Sequence, residues 1–389
     1  MSARRGTVIA GGGTGGHVVP SLQVARAMVE RGHDPGSIEL FGSRRGHEAT
    51  TWPSLEFPFT LLPGRGIRRS FAPGAVVANV GAVARLVWAC VRAVGSFLRR
   101  RPRVVVIVGG YASFPAGLAA VVTRVPLVSV NTDAVPGAVN GLLGRFAAAN
   151  AVAFEGTELP RAHVTGTPVR PELWELDRSL EGRRGGRTAL GLPADRQTVT
   201  AMGGSLGALR VNRAVAALAG SWEDRGDRTV YHVTGRRDYE SFAGGSGGEA
   251  GGEAGGEAGG EDSGGGGLCY RVVPFEERMP ELYRAADVCV SRAGAMSVAE
   301  LLITGVPAIL VPLPGAPRDH QTRNAEAVVA LGAAVHVPDP ECDGDRLAKE
   351  LEALLTDADR LRAMGEAARR HAHPDAAARI AELVDAHAR

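Results

Sequence analysis

The stretch TVIAGGGTGGH, residues 7–17, decides how the chain begins to fold. Its first four residues predict a buried strand, and an apolar pattern over about residues 18–31 predicts a helix. The glycines between them allow the backbone to approach a ligand closely, and the free N–H groups at the start of a helix favour negative charge. We therefore expect this loop to contact a phosphate group.

The same loop also allows a second interpretation. Gly11, Gly13 and Gly16 fit the G-x-G-x-x-G pattern of dinucleotide-binding folds. The second predicted strand, at about residues 37–41, leads into the sequence GSRR at 42–45, which offers no carboxylate to a ribose. This disfavours NAD, although the two arginines would suit NADP, so an NADP-binding oxidoreductase stays open as an alternative.

The composition indicates an α/β protein of two domains. The chain has 389 residues, of which 44% are hydrophobic, and strand and helix patterns alternate along it. Its four cysteines are far apart, which is typical of reduced thiols, and the first strand begins too early to follow a signal peptide. We expect a cytoplasmic protein.

The N-terminal part is strongly basic, although the formal net charge of the whole chain is only +2. Residues 1–110 contain 15 arginines and 5 acidic residues. Because neither interleaved aromatic residues nor zinc-ligand spacing accompanies them, we expect an anionic membrane surface as partner and no nucleic acid. The apolar segment 71–98 is interrupted by Arg85 and Arg92, which predicts a core helix or a helix lying on the membrane rather than one crossing it.

Two more loops follow predicted strands in the first half of the chain. Residues 104–108 lead into GGYAS at 109–113, and residues 126–130 lead into Asn131, Thr132 and Asp133. Because the carboxyl ends of parallel strands lie at one edge of a sheet, we expect these loops to converge with the first one.

The second half of the chain repeats this construction. A strand at 198–202 precedes a glycine-rich loop at 203–208 and a helix, and strands at 286–290 and 308–312 precede two further polar loops. The glycine-rich segment 244–267, between the strands at 229–233 and 270–273, has a composition that cannot bury apolar surface, so we predict a disordered insertion.

Seven motifs together resemble the MurG family of peptidoglycan N-acetylglucosaminyltransferases. They are GGGTGGH (11–17), GGYAS (109–113), AVPG (134–137), TGTPVR (165–170), GGSLGA (203–208), SRAGAMSVAE (291–300) and DHQTRNA (319–325). The resemblance implies a GT-B fold, in which two Rossmann-like α/β domains with parallel sheets face each other across a cleft. We expect an acceptor- and membrane-binding domain at 1–168, with a C-terminal helix at about 373–389 packing back on it, and a donor-binding domain at 169–372.

The resemblance also implies substrates. The donor is UDP-GlcNAc, the acceptor is undecaprenyl-diphospho-MurNAc-pentapeptide (lipid I), and transfer proceeds with inversion at the cytoplasmic face of the cell membrane, where the protein is peripheral. Neither a metal nor a cofactor is implied.

For the acceptor, the candidate binding residues lie on the three N-terminal loops: Thr14, Gly15, Gly16, Tyr111, Asn131 and Asp133. The general base is either His17 or Asp133. In one arrangement Asp133 accepts the proton of the hydroxyl and His17 binds the diphosphate; in the other His17 is the base and Asp133 orients it.

For the donor, Arg170 and the loop containing Ser205 are candidates to stabilise the departing diphosphate, and Glu300 is a candidate to hold both ribose hydroxyls. By resemblance, Glu276 lies in the segment whose backbone contacts the uracil. The other donor contacts implied by resemblance are Ala295, Met296, Ser297, Val298, Ala299, Gln321 and Asn324.

The chain departs from the family pattern at four places. The sequence His-Glu-Gln-Asn before AVPG is replaced by residues 130–133, a Gln by Leu206, an Asn by Thr167, and an apolar residue by Glu276. These departures keep open a GT-B enzyme acting on another lipid or metabolite acceptor, or a non-catalytic scaffold.

Overall fold

The computed structural model describes residues 6–13, 15–44, 48–62, 73–203, 208–243 and 266–389, with the backbone alone for 50, 51 and 73–80. The chain divides into two compact units. The first comprises Met1–Arg170 together with His373–Arg389, and the second comprises Pro171–Ala372.

The first unit alternates strands and helices. In chain order its elements are β1 (Thr7–Gly11), α1 (Gly15–Glu30), β2 (Ile38–Ser43), α2 (Glu48–Thr51), β3 (Phe59–Leu62), α3 (Pro73–Arg100), β4 (Val104–Gly109), α4 (Phe114–Thr123), β5 (Leu127–Asn131), α5 (Ala138–Leu143), β6 (Ala149–Val152) and β7 (Ala162–Val164). Across the described residues the strands form a parallel sheet in the order β3-β2-β1-β4-β5-β6-β7.

Both faces of this sheet are covered, which explains why its central strands are continuously apolar. One apolar cluster joins α1 to the sheet and includes Ile380 and Val384 from the end of the chain. The cluster on the other face includes Phe97 of α3 and several alanines of α4. The core therefore fixes β1, β4 and β5 side by side.

The second unit has the same design. Its elements are α6 (Leu180–Ala189), β8 (Gln197–Met202), α7 (Leu209–Ser221), β9 (Arg228–Val233), β10 (Cys269–Val273), α8 (Met279–Ala285), β11 (Val288–Ser291), α9 (Ala295–Thr304), β12 (Ala308–Leu310), α10 (His320–Ala330), β13 (Ala334–His336), α11 (Gly344–Leu355) and α12 (Ala358–Arg370). The parallel sheet formed by its described strands has the order β10-β9-β8-β11-β12-β13. The last helix of the chain, α13 (Ala376–His387), belongs to the first unit.

The predicted elements agree with the structure except at their ends, whereas four short strands and the helices α2, α5, α6, α8, α10 and α11 were not predicted. Helix α1 begins at Gly15, three residues before the apolar pattern, and β2 extends to Ser43. Strands β3, β6, β7 and β13 have three or four residues each, too few to produce a clear alternation in the sequence. The apolar segment 71–98 corresponds to α3.

Some of the sequence predictions lie outside the described residues. They concern Thr14, Arg45, Ser205, Leu206 and residues 244–265 of the expected insertion.

Candidate active site

Three loops of the first unit meet at the carboxyl edge of its sheet. They follow β1, β4 and β5, which are neighbours in the sheet, as the sequence predicted. His17 lies in the first turn of α1, directly after the first loop, and is partly exposed. Its backbone carbonyl accepts a hydrogen bond of 2.7 Å from Ser21 Oγ.

The imidazole of His17 packs against the second loop. A Cβ atom added to Gly110 would lie 3.1 Å from its Nδ1 atom and 2.7 Å from the carbonyl oxygen of Gly12. Gly110 also has a φ of +72°, which a residue with a side chain rarely adopts. The glycine is therefore needed both for the turn and for the room that the histidine ring occupies.

A carboxylate that the sequence analysis missed organises the first loop. Glu48, the first residue of α2, is fully buried, and both of its oxygens accept the Gly13 N–H at 3.0 Å. Its Oε1 atom also accepts the Ser43 N–H at 2.7 Å. A Cβ on Gly12 would lie 2.2 Å from Oε1, so this position requires glycine.

Glu48 changes the interpretation of the glycine loop in two ways. The sequence analysis found no carboxylate at the end of β2, yet Glu48 reaches this point from the next helix. Because backbone donors surround the carboxylate in a fully buried position, it is not available to a ribose. The Gly13 N–H in turn is not available to a pyrophosphate, which argues against a dinucleotide at this loop.

Tyr111 connects the second loop to the end of β2. Its hydroxyl donates to Ser43 Oγ at 3.1 Å, and its ring faces Gly13. Glu48, Ser43 and Tyr111 thus form a polar network beneath the first and second loops. The chain carried a signal for it, since Glu48 closely follows Arg44 and Arg45 and is the one acidic residue between Glu39 and Glu56.

The third loop is held by its own amides. Asn131 is 2% exposed, and its Nδ2 donates to the Asp133 carbonyl at 2.6 Å. Asn140 of α5 donates to the Val130 carbonyl at 2.8 Å. The side chain of Asn131 therefore supports the loop, and its expected contact with the acceptor stays a prediction. The neighbouring Asp133 is partly exposed.

In the second unit, the loop after β11 leads into α9 at Ala295. Residues 295–297, 299 and 300 are partly exposed, whereas Val298 points into the core and is 1% exposed. At Val298, a contact with the donor would therefore involve the backbone rather than the side chain. Glu300, in the second turn of α9, accepts a 2.7 Å hydrogen bond from the hydroxyl of the fully buried Tyr283.

Asn324 and Gln321 both support neighbouring loops. Asn324 is fully buried, and its Nδ2 donates to the Ala293 carbonyl at 3.0 Å. Gln321 Oε1 accepts the Leu313 N–H at 3.0 Å. Asn324 therefore holds the loop before α9, and the donor contact that the resemblance implies for it stays a prediction.

Glu276 points inward, so its side chain is distinct from the backbone that the resemblance assigns to the uracil. Its carboxylate, 6% exposed, accepts hydrogen bonds from the Tyr231 hydroxyl and from the Arg278 N–H, the latter at 2.7 Å. Burial raises the pKa of Glu276, but these hydrogen bonds outweigh burial and bring its pKa below the ordinary value. The departure at this position therefore adds a buried carboxylate that fixes the turn.

The site residues fall into two groups, one in each unit. Gly15, Gly16, His17, Tyr111 and the third loop belong to the first unit, and the partly exposed Arg170 is the last residue of its N-terminal segment. The donor candidates from Glu276 to Asn324 belong to the second unit.

Comparison with known proteins identifies the class. The chain matches the glycosyltransferase family 28 N-terminal domain over residues 7–152 and the family 28 C-terminal domain over residues 198–380. It is similar in fold to the crystal structure of Acinetobacter baumannii MurG, with a TM-score of 0.71, 24% identity, and coverage of 98% of this chain and 99% of that one. Two parallel-sheet α/β domains with these matches define a GT-B glycosyltransferase.

Two curated relatives narrow the class. The chain is 38% identical over 378 residues to the UDP-N-acetylglucosamine–N-acetylmuramyl-(pentapeptide) pyrophosphoryl-undecaprenol N-acetylglucosamine transferase of Alkalilimnicola ehrlichii, covering 97% of both chains. It is also 38% identical to the enzyme of the same name from Nocardioides sp., covering 97% of this chain and 96% of that one. The chain belongs to this transferase family, and the oxidoreductase alternative is set aside.

Proposed function

We propose that this protein transfers GlcNAc from UDP-GlcNAc to the 4-hydroxyl of MurNAc in undecaprenyl-diphosphate-linked MurNAc-pentapeptide, inverting the anomeric configuration and giving lipid II. The observation that carries the proposal is the similarity over nearly the full length to transferases whose names specify this donor and acceptor. The candidate residues in both units supply the groups that the reaction needs.

The donor binds the second unit in this proposal. The N–H groups at the start of α9 and the helix dipole favour a phosphate, and Glu300 accepts hydrogen bonds from the ribose hydroxyls. Arg170 and the loop containing Ser205 add positive potential for the diphosphate as it leaves. The buried pair Asn324 and Ala293 supports this assignment because it fixes the loop from which α9 begins.

The acceptor binds the first unit in this proposal, at the loops after β1, β4 and β5. We assign the acceptor diphosphate to the start of α1, with Gly15, Gly16 and His17, because the N-terminus of a helix favours an anion. Either His17 or Asp133 takes the proton from the acceptor hydroxyl while the bond to UDP breaks. We favour His17 as the base, because it lies in the loop that best matches the family.

We further propose that α3 brings the first unit to the cytoplasmic face of the membrane, as a peripheral contact. Gly81–Arg100 is the one segment among the described helices that is long and apolar enough to cross a membrane, a property that core helices also have. Ala82, Ala89, Ala93 and Phe97 are buried, whereas Val87, Trp88 and Val91 are 56–57% exposed. Arg85, Arg92 and Arg99 follow at intervals of seven residues and so share one side of the helix. An exposed apolar stripe beside arginines suits an anionic surface.

The test is a transfer assay with purified protein. UDP-GlcNAc and lipid I should give lipid II and UDP, and the new glycosidic bond should have the β configuration. If UDP-GlcNAc binds but lipid I is not glycosylated, the acceptor assignment is wrong, and other lipid or metabolite acceptors become the candidates. If UDP-GlcNAc does not bind either, the donor assignment is wrong as well.

A further inference from the structure

The contact between Tyr283 and Glu300 has a direct consequence for donor recognition. Tyr283 comes from α8 and Glu300 from α9, so the hydrogen bond joins two helices of the second unit. The tyrosine is 0% exposed, whereas Glu300 is partly exposed. One carboxylate oxygen of Glu300 is therefore held from the core side while the side chain reaches the surface.

Both backbones behind this contact are anchored. The buried guanidinium of Arg178 donates to the Tyr283 carbonyl at 2.6 Å and also bonds the Ala286 carbonyl, so the end of α8 is fixed. Thr304 Oγ1 donates to the Glu300 carbonyl at 2.7 Å within α9. The phenol hydroxyl therefore has a defined position relative to the carboxylate.

A fixed carboxylate is better suited to a vicinal diol than a mobile one. An ionised carboxylate only accepts hydrogen bonds, and it has lone pairs for about four donors. Glutamate loses side-chain entropy when it is ordered, so an acceptor that is ordered before binding avoids this cost. A hydroxyl that donates to one carboxylate oxygen orders the carboxylate and stabilises its ionised form.

We propose that Tyr283 is a positioning residue for the donor ribose, and that it determines selectivity for a ribonucleotide over a deoxyribonucleotide. Its hydroxyl holds the Glu300 carboxylate in the orientation that accepts both the 2′- and the 3′-hydroxyl. The inference rests on the proposed assignment of Glu300 to the ribose.

The experiment is a calorimetric titration of the full-length protein with UDP, 2′-deoxy-UDP and 3′-deoxy-UDP. The wild type should bind UDP about 10- to 100-fold more tightly than either deoxy compound, since each hydroxyl bonds a charged group. Glu300→Gln should strongly reduce the ratio of affinities between UDP and the deoxy compounds. Tyr283→Phe, which removes only the hydroxyl, should narrow it at least about threefold while the affinity for the deoxy compounds changes little.

The second unit contains a matched control. Tyr231 is as deeply buried as Tyr283, at 1% exposure, and its hydroxyl also bonds a carboxylate, that of Glu276. Tyr231→Phe should leave the ratio between UDP and its deoxy analogues unchanged, because any effect on the turn would weaken all three ligands alike.

The outcomes separate the two assignments. If Glu300→Gln keeps the wild-type ratio of affinities between UDP and its deoxy analogues, the ribose assignment is wrong and the inference is overturned with it. If the ratio of affinities decreases in Glu300→Gln but keeps its wild-type value in Tyr283→Phe, only the inference about Tyr283 is overturned. An equal loss of affinity for all three ligands in Tyr283→Phe would show that Tyr283 has only a structural role, and would also overturn it.

Discussion

Among single residues, Glu48 links the fold of the first unit most directly to its site. Glu48→Gln replaces an oxygen that accepts backbone N–H groups with an amide that donates, so Gly13 or Ser43 loses its partner. We expect a loss of about 1.5–3 kcal/mol in the free energy of unfolding, and at least a tenfold fall in kcat/KM for the acceptor. UDP affinity should not change, because the donor residues belong to the other unit.

Steady-state kinetics with lipid I and calorimetry with UDP test this prediction together. Glu39→Gln is the control, since Glu39 lies near the start of β2, the strand that ends at Ser43, and pairs with Arg100 at 2.6 Å, away from the loops. A folded Glu48→Gln protein with the acceptor KM and kcat of the wild type would contradict the positioning function.

His17 is the residue on which the proposed chemical step depends. His17→Ala should slow a single turnover at saturating lipid I by about 10² to 10⁴-fold, with donor affinity little changed. His33→Ala is the control, because His33 contacts Asp385 at 2.8 Å on the surface of the same unit. A near-normal single-turnover rate would exclude His17 as the base, and Asp133→Asn would then be measured in the same way.

The sequence predicted these residues unevenly, for a physical reason. His17, Asp133 and Glu300 lie shortly after strands or in the first two turns of helices, and such positions are visible as patterns along the chain. Glu48 and Tyr283 act through contacts with other segments: Glu48 reaches back to Gly13, and Tyr283 crosses to a neighbouring helix. The inward orientation of Glu276 and Asn131 also depends on tertiary packing, which a single sequence does not encode locally.

At the scale of elements, α3 gives a testable surface. Trp88→Ala should weaken binding to anionic vesicles because it removes a large exposed apolar side chain. Arg85→Glu together with Arg92→Glu should abolish the preference for anionic over neutral vesicles, since each surface arginine contributes about 1 kcal/mol. Trp174→Ala is the control, because Trp174 is 39% exposed in the second unit. Co-sedimentation that is equal for all variants would contradict the proposal.

A buried polar network connects α7 to β9 and β10 and makes stability depend on pH. His232 is fully buried between the Tyr270 hydroxyl at 2.9 Å and Asn212 Oδ1 at 3.1 Å, and Asn212 also contacts Asp238. Burial lowers the pKa of His232 to about 4. In the unfolded chain His232 therefore binds a proton near pH 6.5, whereas in the folded chain His232 stays neutral down to about pH 4.

The sign of the effect follows from this difference. The contribution of neutral His232 to the free energy of unfolding is fully present above pH 6.5. It should decrease as the pH falls, by on the order of 3 kcal/mol between pH 7 and pH 4. Denaturant unfolding of the wild type and of His232→Gln across this range tests it. The stability difference between the two proteins should shrink as the pH falls; a difference independent of pH would contradict the assignment.

The elements differ in how well the sequence predicts them. Buried strands of five or six residues, such as β1 and β4, and the long helix α3 have clear patterns. The three-residue strands β7, β12 and β13 bury too few side chains for periodicity, and they exist because a neighbouring strand pairs with them. Only β12 lay within a longer predicted apolar run.

At the scale of the whole molecule, the chain ends in the unit where it began. Helix α13 follows the second unit but packs on α1, with Ile380 and Val384 fully buried in the core of the first unit. An ion pair from Asp385 to Arg31 at 2.9 Å and a hydrogen-bond contact between Asp385 and His33 at 2.8 Å lie at its edge. The first unit therefore depends on the last residues of the chain for one face of its sheet.

Ile380→Ala should therefore destabilise the first unit alone. Removing a fully buried isoleucine side chain costs about 2–5 kcal/mol, which corresponds to a fall of roughly 5–15 °C in the Tm of a unit of this size. UDP should raise the Tm of the second unit by mass action, so scanning calorimetry with and without UDP identifies which transition moves. Glu382→Ala on the exposed side of α13 should change little, since its ion pair with Arg31 spans 3.4 Å at the surface. A shift of the UDP-sensitive transition in Ile380→Ala would show instead that α13 stabilises the donor-binding unit.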